Sequence, residues 1–239
     1  MRKSTVFAAV ALAVAFGATS ARAEERAWEW SPLGIGIAAP IQLPFMSSDI
    51  YGIRLGGFFG RNADVYGLDL GVAETTTGSL AGLQASAFSW TSDYAYGLQL
   101  GGLANVVDAN FYGCEFGLVN VIWGEFWGLQ CGAVDYSANF AGIQFGALLN
   151  WNTSVSYGWQ TGIANVDLEE FCGFAAGVVN YANKFTGFQL GVVNSAYEAT
   201  GLQLGVVNAV EVMHGVQIGA INLIASSPLP VMVIANASF

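Results

Sequence analysis

Residues 201–208 read Gly-Leu-Gln-Leu-Gly-Val-Val-Asn, and variants of that octet recur along most of the chain. They begin at Gly52, Gly67, Gly82, Gly97, Gly113, Gly128, Gly142, Gly158, Gly173, Gly187, Gly201 and Gly215, a step of 14 to 16 residues each time. A period that short holds one strand and one turn. The chain is therefore a repeated β architecture rather than a scaffold built around one special site.

With the first Gly of each repeat as position 0, strand alternation sorts the side chains onto two faces. Positions +1, +3 and +5 are apolar or Gly, with Thr161 the one departure at +3. The opposite face has Gly at 0, Gly at +4 in every repeat but that of Ser86, and a polar residue between them. That middle row reads Arg54, Asp69, Gln84, Gln99, Glu115, Gln130, Gln144, Gln160, Ala175, Gln189, Gln203, Gln217. Polar groups framed by residues without side chains describe a narrow hydrated or hydrogen-bonded band, read either as a self-satisfying Gln ladder with Arg54 paired to Asp69 or as the polar row of a lumen. Position −1 is aromatic in six repeats (Tyr51, Tyr66, Tyr96, Tyr112, Trp127, Tyr157), which suits a membrane interface. Position +7 is most often Asn, which suits the start of a tight turn.

Two architectures absorb such a repeat, and the sequence favours an antiparallel up-and-down transmembrane β-barrel over a parallel β-solenoid. Gly-x-Gln-x-Gly reads the same in both directions, so antiparallel neighbours can align Gln with Gln. A solenoid is expected to hide the apolar face and expose Gly, Gln and Gly to water, a surface with too little charge for the purpose. Antiparallel pairing about Glu115 and Gln130 would set Cys114 directly opposite Cys131 within disulfide range. A strand at residues 33–39, twelve repeats and a closing strand at 229–239 give about 14 strands, an even number as bacterial barrels require. A barrel of that size leaves a lumen.

The first 23 residues have the form of a secretory signal: Arg2 and Lys3, an apolar run from Val6 to Phe16, and a small-x-small site at Ala21-Arg22-Ala23. The expected organisation is a signal at 1–23 and a single β domain at 24–239, with tandem repeats at 52–222. Removal of the signal leaves Arg26, Arg54, Arg61 and Lys184 against seventeen acids. Nucleic acid is excluded as a partner on that balance. Only 10% of residues are charged and the mean hydropathy is +0.50, whereas soluble domains carry about 25% charge. Something other than water is expected to face much of this surface.

The tandem phrase resembles a group of bacterial envelope proteins built from Gly-Leu-Gln-x-Gly-x-x-Asn repeats, described as surface-repeat proteins. The resemblance covers residues 52–222 and implies an envelope location, with no catalytic residues to carry over. The segment from Pro230 to Phe239 resembles the carboxy-terminal signal of bacterial outer-membrane barrels, which implies the barrel-assembly machinery as a partner through the strand ending at Phe239, and outer-membrane lipid around the barrel.

Catalysis has little material. The single histidine, His214, sits at a −1 position where a packed or interfacial imidazole is expected. No nucleophile elbow or phosphate loop is present, and Asp108, Glu125 and Glu198 read as solvated turn residues. The run Asp167-Leu168-Glu169-Glu170 could hold a divalent cation only weakly, and the cysteine spacings match no zinc or redox motif. The expectation is a non-enzymatic outer-membrane barrel, structural or a narrow pore, with no cofactor. The alternative is a secreted or surface-attached solenoid, at the cell surface or in the periplasm, acting as an interaction module.

Overall fold

The computed structural model describes residues 29–238, so the signal expected at 1–23 and the terminal Phe239 lie outside the described residues. Ten strands form one sheet: β1 (Trp30–Ala38), β2 (Ile41–Leu43), β3 (Asp49–Asn62), β4 (Val65–Leu70), β5 (Ala73–Thr76), β6 (Leu80–Thr91), β7 (Ala95–Val107), β8 (Phe111–Asn152), β9 (Val155–Ile224) and β10 (Val231–Ser238). The repeats pair in parallel. Gly52 faces Gly67, Gly67 faces Gly82 and Gly82 faces Gly97, and the residues of β4, β6 and β7 follow in the same register. The fold is a parallel β-solenoid, one repeat per coil, and the expected antiparallel barrel is incorrect.

Each coil is a flat hairpin of two arms. In the coil of Gly67 the first arm is β4 and the second is β5, and each pairs with the matching arm of the coils before and after. The arms meet at a corner around positions +4 and +5, and a turn after +9 leads to the next coil. In β8 and β9 the extended conformation runs unbroken around several coils, which accounts for strands of 42 and 70 residues.

The ladder of position-0 glycines shows why the phrase demands Gly there. At Gly158 φ is +126°, and a Cβ would run into the carbonyl oxygen of Gly142 in the coil before. Both the backbone conformation and the close approach exclude a side chain. The +4 glycines serve a different end: at Gly146 a Cβ would strike Oδ1 of Asn150, so the missing side chain makes room for one crossing from the other arm.

Burial inverts the arrangement expected of a solenoid and keeps the polar-in, apolar-out sense expected of the barrel. Positions −2, +2, +7 and +9 point between the arms, and +1, +3 and +5 point outward. In the repeats of Gly52, Gly97 and Gly142, where a bulge lengthens the corner by one residue, +8 and +10 take the place of +7 and +9. The polar row from Arg54 to Gln217 is fully interior, and the apolar row of leucines and valines is the outer surface. There is no barrel and no lumen for the row to line. The apolar part of the interior is thin, made of position −2 with help from +9: Phe111, Phe126 and Phe140 stack at 5.7 and 5.9 Å, and Phe171 stacks on Phe185 at 6.1 Å. Ser156 interrupts the row between Phe140 and Phe171 and divides the apolar core in two.

The sequence reading failed at Asn. The Gly-x-Gln-x-Gly palindrome permits either strand direction, but Asn at +7 is directional, and only a parallel stack brings Asn against Asn. The cysteines follow the same correction. Parallel register sets Cys114 beside Leu98, leaves Cys131 diagonal to Cys114 rather than opposite, and all three thiols are free. Both ends of the stack are covered: β1 lies parallel to β3 with β2 folded against it, and the closing strand β10 pairs antiparallel with the last coil, Ala237 facing Val216. Terminal caps of this kind are what a stacked repeat requires.

Candidate interaction surface

The interior is built from two hydrogen-bonded ladders that run in opposite directions. In the Gln row six side-chain amides donate to the coil before: Gln84 to Asp69, Gln99 to Gln84, Gln130 to Glu115, Gln144 to Gln130, Gln203 to Gln189 and Gln217 to Gln203, at 2.6–3.0 Å. In the Asn row each amide donates to the coil after: Asn105 to Asn120, Asn120 to Asp135, then Asn150, Asn165, Asn180, Asn194, Asn208 and Asn222 in series, at 2.6–2.9 Å. A primary amide suits this role because it has both a donor and an acceptor, and stacking at the strand spacing of about 4.8 Å brings one to the other.

The Asn row also finishes the corner. Nδ2 of Asn105, Asn120, Asn150, Asn165, Asn180, Asn194 and Asn208 each donates to the +3 carbonyl of the following coil, from Phe116 O to Ile218 O, at 2.8–3.1 Å. Backbone oxygens that a bend would leave unpaired are thus satisfied from inside the protein.

Carboxyls interrupt both ladders. Glu115 accepts from Gln130 through Oε2, but its Oε1 and the Oε1 of its register neighbour Gln99 have no partner. Asp135 accepts from Asn120 through Oδ1, while its Oδ2 and the Oδ1 of the next ladder member, Asn150, are likewise without partners. Two acceptors in succession need a proton between them. Burial pushes the Glu115 carboxyl up to about 8, against the bond from Gln130, and the nearby Asp135 raises it further. Burial likewise raises Asp135 to about 7. A protonated acid in each place supplies the missing donor and makes each junction continuous. In the polar layer at Ser156, Gln160 leaves its row and donates to Asp167 at 3.0 Å, as does Asn152 at 3.1 Å, and burial holds that carboxyl up at about 6.

At the first coils Arg54 closes the Gln row. Its Nε donates to Asp69 Oδ1 at 2.6 Å and its Nη2 to Asp69 Oδ2, and Nη2 lies 3.3 Å from Glu74 Oε2 in an ion pair without hydrogen-bond geometry. Burial raises Glu74 to about 8 despite Arg54, with Asp69 adding to the rise. Arg54 thus serves Asp69 first. Replacing it with Met is expected to destabilise the fold by about 3 kcal/mol, because Asp69 is left as an uncompensated buried charge; urea unfolding at pH 7 measures it, and a change under 1 kcal/mol would refute the assignment.

The outer surface is apolar on three sides. The first arm shows residues such as Leu100, Phe116, Phe145 and Leu190; the corner shows Leu118, Ile163, Val178, Val192 and Val206; the second arm shows Val179 and Tyr181. The fourth side is polar. Within the repeats, every charged side chain on the outside except Arg61 lies three to five residues before a ladder glycine, in the turn: Asp49, Asp64, Asp93, Asp108, Glu125, Glu169, Glu170, Lys184, Glu198 and Glu211. Lys184 and Glu198 pair there at 3.2 Å, both well exposed.

Aromatic rows border this polar edge. On the first arm Tyr51 stacks on Tyr66 at 4.9 Å and Tyr96 on Tyr112 at 5.2 Å, all at −1. On the second arm Trp123 packs edge-on against Tyr136 at 5.2 Å and Trp90 donates through Nε1 to Asp108 at 2.9 Å, while on the first arm Tyr112 accepts at its hydroxyl from Asn110 of the edge at 3.4 Å. His214 is exposed at −1, in line with these rows. Asp167 is interior while Glu169 and Glu170 are exposed, so that acidic run is split between core and edge. Among the described residues no group of three His, Cys, Asp or Glu is placed to hold a metal ion, and no helix is long and apolar enough to cross a membrane.

Fold and surface together define a parallel β-solenoid with a hydrogen-bonded polar interior and an apolar exterior. No protein-family model, curated protein or solved structure matches the chain. Sequence reasoning found the Gln row but missed the interior Asn row and the corner residues. The signal for the Asn row was its recurrence at +7 in the last five repeats, from Asn165 to Asn222, since a solvated turn would not hold one residue type so strictly.

Proposed function

We propose that this protein is an exported, envelope-attached β-solenoid that works as an interaction module, with its apolar exterior as the contacting surface. The observation that carries this reading is the inversion of polarity. A chain that keeps its amides inside and its Leu, Val, Phe and Trp outside has a surface far larger than the few-hundred-Å² apolar patch of an ordinary monomer. The arrangement of the side chains supports binding rather than chemistry, since the ionisable groups are either locked in the ladders or spread along one edge.

An exterior of this kind opposes release into plain buffer. Envelopes carrying the full chain, washed with high salt and then with alkaline carbonate, are expected to retain it and to release it only into detergent. Recovery as a monomer in aqueous buffer, bound to neither membrane nor protein, would overturn the proposal.

A further inference from the structure

We propose that the partner of the apolar exterior is the hydrocarbon of one bilayer leaflet, into which the solenoid inserts corner-first with its charged edge in the headgroups, without spanning the membrane. This inference rests on the interaction-module reading above and names its partner.

Four observations point to lipid rather than to a protein. The first is the distribution of charge. A protein partner on one apolar face would leave the other face free to be polar, but here both arms and the corner are apolar and the charged turns are confined to the remaining edge. That is the cross-section of a body immersed on three sides, the β counterpart of an interfacial amphipathic helix.

The second is the pair of aromatic rows. Tyr and Trp collect at the boundary between apolar and aqueous regions of a bilayer. They stand here on both arms immediately below the charged edge, and the polar tips of Trp90 and Tyr112 engage Asp108 and Asn110 of that edge. Both faces therefore mark the same depth.

The third is dimension. Six residues separate the −1 row from the +5 corner, about 20 Å at 3.3 Å per residue. Half of a bilayer is about 20 Å deep, about 15 Å of it hydrocarbon and the rest the interfacial layer in which the aromatic rows sit. A body of that depth, upright or modestly tilted, occupies one leaflet. Twelve coils at about 4.8 Å give a keel on the order of 50 Å long.

The fourth is backbone satisfaction. Irregular backbone is excluded from lipid unless its polar groups are paired within the protein. The corner is the part that would lie deepest, and it is there that the Asn row donates to the +3 carbonyls from the interior. The corner side chains around them stay out: Leu118, Ile163 and Val206 are 53, 51 and 52% exposed. At these seven corners the +3 carbonyl, which a water-facing corner could leave to solvent, is bonded from inside, where an unpaired oxygen would be most costly in lipid.

The test uses the full chain, purified in detergent and diluted into phosphatidylcholine–phosphatidylglycerol vesicles, with Cys114, Cys131 and Cys172 replaced by Ala. A single cysteine is then introduced by Val192→Cys at the corner or Glu198→Cys on the edge, and carries an environment-sensitive fluorophore. The chain is expected to float with the vesicles. The label at 192 should shift to the blue and be quenched by lipids brominated on the acyl chain, and the label at 198 should be quenched by aqueous iodide. Val192→Asp with Val206→Asp is expected to abolish flotation while the β circular dichroism persists, and Glu211→Gln to float as the parent does.

Iodide quenching at both positions would place the solenoid on the membrane surface and overturn insertion. Failure to float, with assembly through the apolar faces into dimers or larger species, would overturn the lipid assignment and leave the interaction module standing. A soluble monomer that binds nothing would overturn both.

Discussion

Gly158→Ala, like Ala at any of the ladder glycines, is expected to destabilise the solenoid by about 4 kcal/mol. Two costs combine. A φ of +126° is a conformation that an L side chain rarely adopts, and the new methyl would meet the carbonyl oxygen of Gly142, which is backbone and held by coils on both sides. Neither cost relaxes without shifting a whole coil. Gly102→Ala is the control, since a Cβ there meets nothing closer than Ala87 Cα at 3.8 Å, and a change within about 0.5 kcal/mol is expected. Equilibrium unfolding of both variants in urea compares them. Equal stabilities would show that the glycine ladder does not set the coil spacing.

Stability is expected to fall as pH rises from about 4 to 8, and the double substitution Glu115→Gln, Asp135→Asn to remove much of that fall. The direction follows from proton counting. Burial raises Glu115 from 4.5 to about 8 and Asp135 from 3.8 to about 7. Below pH 4 folded and unfolded chains both hold these protons. Between the two ranges the unfolded chain releases them and the folded chain does not, so each unit of pH favours unfolding. The loss nears its full size above pH 8, about 4–5 kcal/mol for each acid from shifts of about 3 units or more. Glu74 and Asp167 are raised in the same direction, to about 8 and about 6, and leave a residual slope.

The amides remove the titration and also complete the ladders. A Gln at 115 accepts from Gln130 and can donate towards Gln99 Oε1, the direction in which its row runs, and an Asn at 135 accepts from Asn120 and can donate towards Asn150 Oδ1. The double variant is expected to match the parent near pH 4 and to exceed it by several kcal/mol at pH 8. Thermal unfolding followed by circular dichroism across that range measures it. Parallel pH profiles for the two chains would show that the carboxyls are not the protonated links of the ladders.

Much of the interior was legible. The period and the rows of glycine and glutamine were legible, but the period was read as one strand and one turn where the coil has two arms, and the row from Arg54 to Gln217 was left between a hydrogen-bonded ladder and the lining of a lumen. What misled was the middle of the phrase. Gly-Leu-Gln-Leu-Gly is symmetric about Gln, and symmetry there is compatible with strands running either way. Asn208 and its counterparts break the symmetry, but Asn is also the residue of tight turns, and its burial cannot be read from its identity. The cysteines then followed the wrong direction: opposite in an antiparallel pair, diagonal in the true one.

By itself the sequence determined a repeat of 14 to 16 residues, β conformation, glycine where a side chain cannot go, and alternation of apolar with polar side chains. These are local properties, fixed by Cβ sterics and by the two-residue period of a strand. Only the tertiary structure decided which face is inside. Alternation is indifferent to that choice, because a polar row can meet water or satisfy itself. The choice falls to stacking: amides repeated in parallel register at the strand spacing bond to one another on a line, so the Gln and Asn rows fill the interior and leave Leu, Val and Phe to face outward.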